Sequence, residues 1–154
     1  MMKLCKRVLE ALEGKTLVTA ESLTGGGIGA ALTAVPSSSE VYKGGIISYT
    51  DWVKENLLGV PGDDLLQFGA VSAPVARAMA LGARKRLCAD VAVSVTGLAG
   101  PGGDEYGHPV GTVFIGYADA YGCESREYHF SGDREAVREQ TIEEALNLIL
   151  THAE

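Results

Sequence analysis

The sequence predicts an α/β protein: one domain over residues 1–154, a three-layer α/β/α arrangement around a mixed, mostly parallel sheet, ending in a hairpin and a long helix. Three observations carry this. Helical and strand periodicities alternate through most of the chain. Two glycine clusters each follow an apolar strand directly. Near the end, two alternating strands with a short link precede a long amphipathic stretch.

Leu4, Val8, Leu9 and Leu12 recur at helical spacing, and Gly14 stops that first helix. Thr16 to Ala20 is a short apolar strand that runs into Glu21-Ser22-Leu23-Thr24-Gly25-Gly26-Gly27. Ile28 to Val35 is helical again, and Pro36 ends it. Val41 to Tyr49 reads as a strand whose Gly44-Gly45 pair marks a bulge or a close approach. Asp51 is the expected N-cap of a short helix through Leu58, and a second short helix covers Asp63 to Phe68. Ser72 is the expected cap of a helix from Ala73 to Leu87, with Pro74 at its start and Val75, Met79, Ala83 and Leu87 inward. Asp90 to Thr96 is a buried strand, followed by an extended loop from Gly97 to Gly111. Thr112 to Tyr117 and Glu124 to Phe130 form the hairpin. Asp133 to Leu150 is the last helix, with Val137, Ile142, Ala145, Leu146 and Ile149 inward and the final residues expected to fray.

Composition bounds the function. Apolar residues at 46% and charged residues at 21% suit a packed globule and exclude intrinsic disorder. With 13 basic and 20 acidic residues, the net charge of −7 argues against nucleic-acid and anionic-membrane partners. Cys5, Cys88 and Cys123 are odd in number and contain no CxxC pair, and the N-terminus lacks an apolar signal-peptide core. A cytoplasmic enzyme or binding protein is the expectation. The 20 glycines exceed the usual share of about 7%, and the two clusters account for most of the excess.

In open α/β sheets ligands sit beyond the carboxyl ends of the strands, where glycines let backbone N–H groups approach an anion. Familiar phosphate motifs fit poorly. Gly14-Lys15-Thr16 looks like a Walker tail, but Leu9 stands where its first glycine belongs. Gly25-Gly26-Gly27-Ile28-Gly29-Ala30 satisfies G-x-G-x-x-A but lacks the acidic residue at the tip of the next strand. His108, His129 and His152 are scattered, so neither a metal site nor a Ser-His-Asp triad assembles readily, and no G-x-S-x-G elbow occurs. His108, inside the second glycine loop, is the one histidine placed to touch a ligand.

Ser22 remains, past a strand end and before a helix, either as a turn serine or as a nucleophile beside oxyanion-holding amides. With histidine scarce, a desolvated lysine can serve as its base. Lys54, in the first turn of the helix after the second strand, is the candidate, against the reading of a solvated helix lysine. Tyr49 ends that strand and can orient either group or face the ligand. Arg134 and Arg138 share one helix face, able to pair with Asp133 and Glu135 or to fork an anion.

The segments A-E-S-x-T-G-G from Ala20, T-G-x-A-G-P-G-G from Thr96, P-V-G-T-V from Pro109 and G-D-R-x-x-V-R from Gly132 together resemble the CinA C-terminal domain family over roughly Leu4 to Leu150. The resemblance implies a stand-alone form, without the molybdopterin-binding-like N-terminal domain of many relatives. It also implies a PncC-type amidohydrolase that converts nicotinamide mononucleotide and water to nicotinic acid mononucleotide and ammonia, with no metal or other cofactor. Carried over, Ser22 is the nucleophile, Lys54 the base and Tyr49 their companion. Glu21, Thr24, Gly25, Gly26, Thr96, Gly97, Gly100, Arg134 and Arg138 are the implied substrate-binding set. Amides from Thr24 to Gly26 are expected to hold the oxyanion, a glycine loop plus an arginine the 5′-phosphate, and Glu21 either Lys54 or the ribose.

Relatives also imply a homodimer or higher form, for which Val41 to Ser48 is a candidate surface. The chain departs from the family pattern at Leu23, where cysteine is frequent, at Phe68, where histidine is, at His108, where lysine is, and at Asp51-Trp52. These departures bear on the substrate more than on the reaction. The competing readings are a non-catalytic nucleotide- or partner-binding module and an amidase for another small amide.

Overall fold

The computed structural model describes residues 1–154. Five strands and six α-helices follow in the order α1 (Met2–Ala11), β1 (Leu17–Glu21), α2 (Gly27–Thr33), a 3₁₀ turn (Ser38–Glu40), β2 (Tyr42–Ile47), α3 (Asp51–Leu58), α4 (Gly62–Phe68), α5 (Ala73–Arg86), β3 (Val91–Gly97), β4 (Thr112–Asp119), β5 (Gly122–His129) and α6 (Arg134–Ala153). The sheet order is β2-β1-β3-β4-β5. β1 pairs in parallel with both β2 and β3, whereas β3/β4 and β4/β5 are antiparallel, so the sheet is mixed.

Every residue of β1 is buried, because helices cover both faces. Leu17 joins Val93, Ile115, Ile28, Leu146 and Ile149 in one apolar layer beneath α1, α2 and α6. Val18 and Ala20 turn the opposite way and meet Leu58, Val75, Met79 and Ala83 beneath α3, α4 and α5. After β1 the chain moves out to β2 through α2, then returns across to β3 through α3, α4 and α5. The carboxyl ends of β1 and β3 therefore flank a point where the winding reverses, which is where such sheets bind ligands.

Several local expectations need correction. Thr50, not Asp51, is the N-cap of α3, and Asp51 is its first helical residue. Ser72 sits at the N-cap of α5, but its hydroxyl donates to the Gly69 carbonyl at 2.9 Å instead of capping the helix. Asp133 does cap α6, its carboxylate accepting from Ala136 N–H at 2.9 Å. That helix continues to Ala153, beyond the expected end. β2 contains both anticipated features: its register with β1 slips between Tyr42 and Gly44, and a side chain at Gly45 would collide with Thr19 Oγ1. No helix is long and apolar enough to cross a membrane.

Gly82 shows why α5 tolerates a glycine at its centre. A Cβ there would strike the carbonyl oxygen of Leu58 at the end of α3, so the two helices touch backbone to backbone. The contact is rigid on both sides, and overpacking of this kind costs about 1–3 kcal/mol. Gly82→Ala is expected to lower the unfolding free energy by that amount, and the thermal midpoint with it, despite alanine's better helix propensity; calorimetry of the purified variant checks it.

Candidate active site

β1 delivers Ser22 to the reversal point. Ser22 N–H donates to Val95 O at 3.1 Å, so the serine continues the β1/β3 ladder by one residue. The chain then turns, Gly25 N–H closing back on Ser22 O at 3.1 Å. Gly25 and Gly26 have φ of 58° and 100°, a left-handed pair that few other residues adopt. α2 starts immediately afterwards.

Lys54 arrives from the other strand. Ser48 N–H donates to Glu21 O at 2.8 Å, extending the β1/β2 pairing just past β2, and three residues later α3 begins. The Lys54 side chain is only 1% exposed. Its Nζ lies 3.0 Å from Ser22 Oγ, donates to Ser48 O at 2.7 Å, and reaches Tyr49 O at 3.4 Å. Burial pulls the amine from its ordinary value of 10.5 down to about 8, with the Asp51 carboxylate pulling partly back. No side-chain carboxylate hydrogen-bonds to it.

These two groups open onto a cleft of about 950 Å³. Tyr49, Thr96, Gly97, Gly100 and Arg134 from the anticipated set line it with them. Thr96 Oγ1 donates to Ala70 O at 2.8 Å, which ties β3 to the start of α5. Arg134 donates to Gly100 O at 2.7 Å and to Tyr49 Oη at 3.1 Å, joining the second glycine loop to the end of β2.

The remaining anticipated residues lie outside the cleft wall. Glu21, 2% exposed, accepts from Thr19 Oγ1 (3.1 Å), Thr24 Oγ1 (2.7 Å), Ile28 N–H (2.8 Å) and Gly29 N–H (3.0 Å). Its carboxylate caps α2 from below and touches neither Lys54 nor the cleft. Thr24, 1% exposed, is held by that carboxylate. Gly25 and Gly26 face Arg138 and Ile47, so these glycines admit protein neighbours rather than a ligand. Arg138 donates through Nε to Leu23 O at 2.9 Å and through Nη2 to Thr24 O at 3.1 Å. It does not fork an anion with Arg134. His108 turns to Asp104, Nδ1 to Oδ2 at 2.7 Å, and stays out of the cleft.

Sequence reasoning missed part of the wall. Asp51, Glu55, Asp104 and Glu105 bring four carboxylates to the cleft, against Lys54 and Arg134. Tyr106 also lines it: its ring rests where a side chain at Gly69 would be, and its hydroxyl donates to Leu66 O at 2.8 Å. The one signal was a tyrosine directly after two acids in a glycine-rich loop.

The CinA C-terminal domain family model matches residues 1–153. The chain belongs to the CinA family. It is 50% identical over 136 residues to a CinA-like protein of Prochlorococcus marinus, covering 87% of this chain and 32% of that relative. It is 51% identical over 137 residues to a CinA-like protein of Parasynechococcus marenigrum, with the same coverages. This CinA domain thus spans about a third of the length of the curated relatives it matches.

Solved structures extend the likeness to nearly the full fold. A competence-damaged protein (CinA) superfamily member from Klebsiella pneumoniae superposes with a TM-score of 0.96 at 35% identity, covering 99% of this chain and 96% of that one. A competence/damage inducible protein from Agrobacterium tumefaciens gives 0.95 at 37%, covering 99% and 95%. The α/β/α architecture described above is accordingly the CinA fold.

Proposed function

We propose that this CinA-family domain is an amidohydrolase in which Ser22 is the nucleophile and Lys54 the general base, and that it deamidates nicotinamide mononucleotide to nicotinic acid mononucleotide and ammonia. One observation carries the reading: the buried Lys54 amine sits 3.0 Å from Ser22 Oγ at the floor of the cleft. A neutral amine has two N–H groups and one lone pair. Ser48 O and Tyr49 O take the two N–H groups, which leaves the lone pair for the serine hydroxyl.

Lys54 accepts the Ser22 proton as Oγ bonds to the carboxamide carbon. The tetrahedral oxyanion is held by a backbone N–H of the loop after Ser22. Gly25 N–H is already bound to Ser22 O, and of the loop after Ser22 only Leu23 lines the cleft; its amide, which has no acceptor in the protein, is the donor this reading assigns. Protonated Lys54 returns its proton to the leaving nitrogen, and ammonia departs. Water, deprotonated by the same amine, then attacks the acyl carbon; the C–Oγ bond breaks, Lys54 returns that proton to Ser22 Oγ, and the acid product gives its remaining proton to solvent and leaves as carboxylate.

Four wall carboxylates favour the cationic pyridinium ring of such a substrate, and Arg134 is the cation available to its phosphate. The same acidic wall is a specific observation for a second reading, an amidase acting on an amide without phosphate. Ammonia release from nicotinamide, its riboside and its mononucleotide, each with chelator present, separates the two. The mononucleotide is expected to be the best substrate. Equal rates on all three would remove phosphate recognition, and no release from any would remove the amidase reading. The rate is expected to rise with pH and level off above about 8, as Lys54 loses its proton. Lys54→Arg, which stays protonated, is expected to be inactive across that range.

A further inference from the structure

We infer that Tyr106 is a specificity-determining residue for this reaction: its ring is the platform in the cleft wall on which the cationic pyridinium ring of the substrate rests. The inference rests on the nicotinamide-nucleotide reading and deepens it. Two aromatic rings line the cleft, Tyr49 and Tyr106. Tyr49 Oη accepts from Arg134 at 3.1 Å, so it already holds a cation and stands on the side assigned to the phosphate. Tyr106 is 40% exposed, and its hydroxyl bonds only main-chain carbonyls.

The ring is held before any ligand arrives. A Cβ at Gly69 would lie 2.5 Å from Cε2 and 2.6 Å from Cδ2, so this left-handed glycine (φ 77°) lets the ring dock on the backbone at the end of α4. The hydroxyl donates to Leu66 O at 2.8 Å. Tyr106 N–H donates to Asp104 Oδ1 at 3.2 Å, and the same carboxylate accepts from His108 N–H at 3.0 Å and pairs with His108 Nδ1 at 2.7 Å. These bonds close the loop around the tyrosine. A side chain fixed in this way loses little freedom on binding.

Its surroundings favour a cation. Partial burial, then the carboxylates of Glu105, Asp51 and Asp104, push the phenol above its usual range, so Tyr106 is a neutral, electron-rich ring among three negative charges. Asp51 also acts on Lys54, three residues along α3, so ring and base border the same part of the cleft. In the proposed substrate the carboxamide carbon is bonded directly to the pyridinium ring. A carboxamide at Ser22 therefore brings that ring to the part of the cleft where Tyr106 stands, with the phosphate toward Arg134. A cation on an aromatic face is favoured by roughly three- to thirtyfold in affinity.

The test uses two ligands that differ in ring charge alone: nicotinamide mononucleotide, and benzamide riboside 5′-monophosphate, which carries a neutral benzene ring with the same carboxamide, ribose and phosphate. Their affinities are measured by calorimetry on Ser22→Ala protein, with Tyr106 intact or replaced by Phe or Leu. Ammonia release by the corresponding proteins with Ser22 present gives kcat and KM. Tyr106→Leu is expected to weaken the mononucleotide about tenfold and the isostere by no more than about threefold, so that the preference for the cation narrows. KM is expected to rise in step, with kcat held within about twofold. Tyr106→Phe keeps the ring and loses only the bond to Leu66 O, and is expected to keep the preference within about threefold.

Equal weakening of both ligands in Tyr106→Leu would make the ring a merely structural wall and overturn the inference. So would a preference that survives loss of the ring, a fall confined to kcat, or failure of the mononucleotide to bind. Should Tyr106→Leu not fold, Tyr106→Met removes the ring with an unbranched apolar chain and is read in the same way. If the protein releases no ammonia yet shows the ring-dependent preference, the amidase reading fails and the platform stands. Ammonia release without that preference removes the platform alone.

Discussion

Replacing Lys54 by methionine is expected to abolish ammonia release and, at the same time, make the protein harder to unfold. The two effects share one cause. Without the amine Ser22 has no acceptor for its proton, and a general base contributes up to about 10⁴-fold. The amine also occupies a site that penalises its charge. A fall from 10.5 to about 8 means that folding with the charged form costs about 3 kcal/mol. Methionine matches the length of the chain and needs no water. Against this gain, Ser48 O loses a 2.7 Å donor, which offsets about 1 kcal/mol. The net expectation near neutral pH is about 1–2 kcal/mol, or a rise of roughly 2–8 °C in the thermal midpoint.

The pH dependence separates this explanation from simple repacking. Below about 8 both folded and unfolded states carry the ammonium, so the penalty is fully present. Between about 8 and 10.5 the unfolded state binds more protons than the folded one, and wild-type stability rises with pH. The variant has no such group, so its advantage over wild type narrows across that window. Denaturant titrations at pH 7 and pH 10 check it. A variant less stable than wild type at pH 7, or an advantage that does not narrow, would mean that Lys54 is comfortably charged in the fold and unsuited to the role of base.

Much of this site was legible because strand ends are legible. The apolar run to Ala20 fixed where the first loop had to emerge, and the scarcity of histidine directed attention to a lysine. Those grounds point to Ser22 and Lys54, and the fold sets the two groups 3.0 Å apart. The places of Glu21 and Arg138 away from the cleft wall follow from a rule the sequence also carries. Side chains alternate along a strand. Leu17, Thr19 and Glu21 therefore share one face, and Val18, Ala20 and Ser22 the other. Glu21 belongs with α2 and α6, and Arg138 on α6 approaches the loop from that same side. Arg134, one turn earlier, lies beyond the end of the sheet and can reach Tyr49 and Gly100 over the cleft. The acidic wall was not legible. Asp104, Glu105 and Tyr106 sit in a loop without periodicity, and their placement depends on contacts such as Tyr106 with Leu66, 40 residues away.

Glu21→Ala is expected to be the most destabilising single change in the vicinity of the site. The carboxylate is 2% exposed and serves four donors, two of them backbone amides at the start of α2. Gly26, the N-cap of that helix, has no side chain to replace it. Each buried donor left without an acceptor costs about 1–3 kcal/mol, and the two threonine hydroxyls can rotate toward other oxygens while the Ile28 and Gly29 amides cannot. The sum, about 3–5 kcal/mol with the cavity included, is comparable to the whole stability of many domains.

Glu21→Gln is the sharper probe. Oε1 accepts from Ile28 and Oε2 from Gly29, so whichever way the carboxamide turns, its NH₂ confronts one backbone N–H. One orphaned amide predicts about 1–3 kcal/mol, less than the alanine variant, with KM for the nucleotide unchanged in the protein that remains folded. Had Glu21 contacted the ribose, the glutamine variant would keep its stability and raise KM. Thermal unfolding and steady-state kinetics on the same preparation decide between them, because a buried cap and a ligand contact move different quantities.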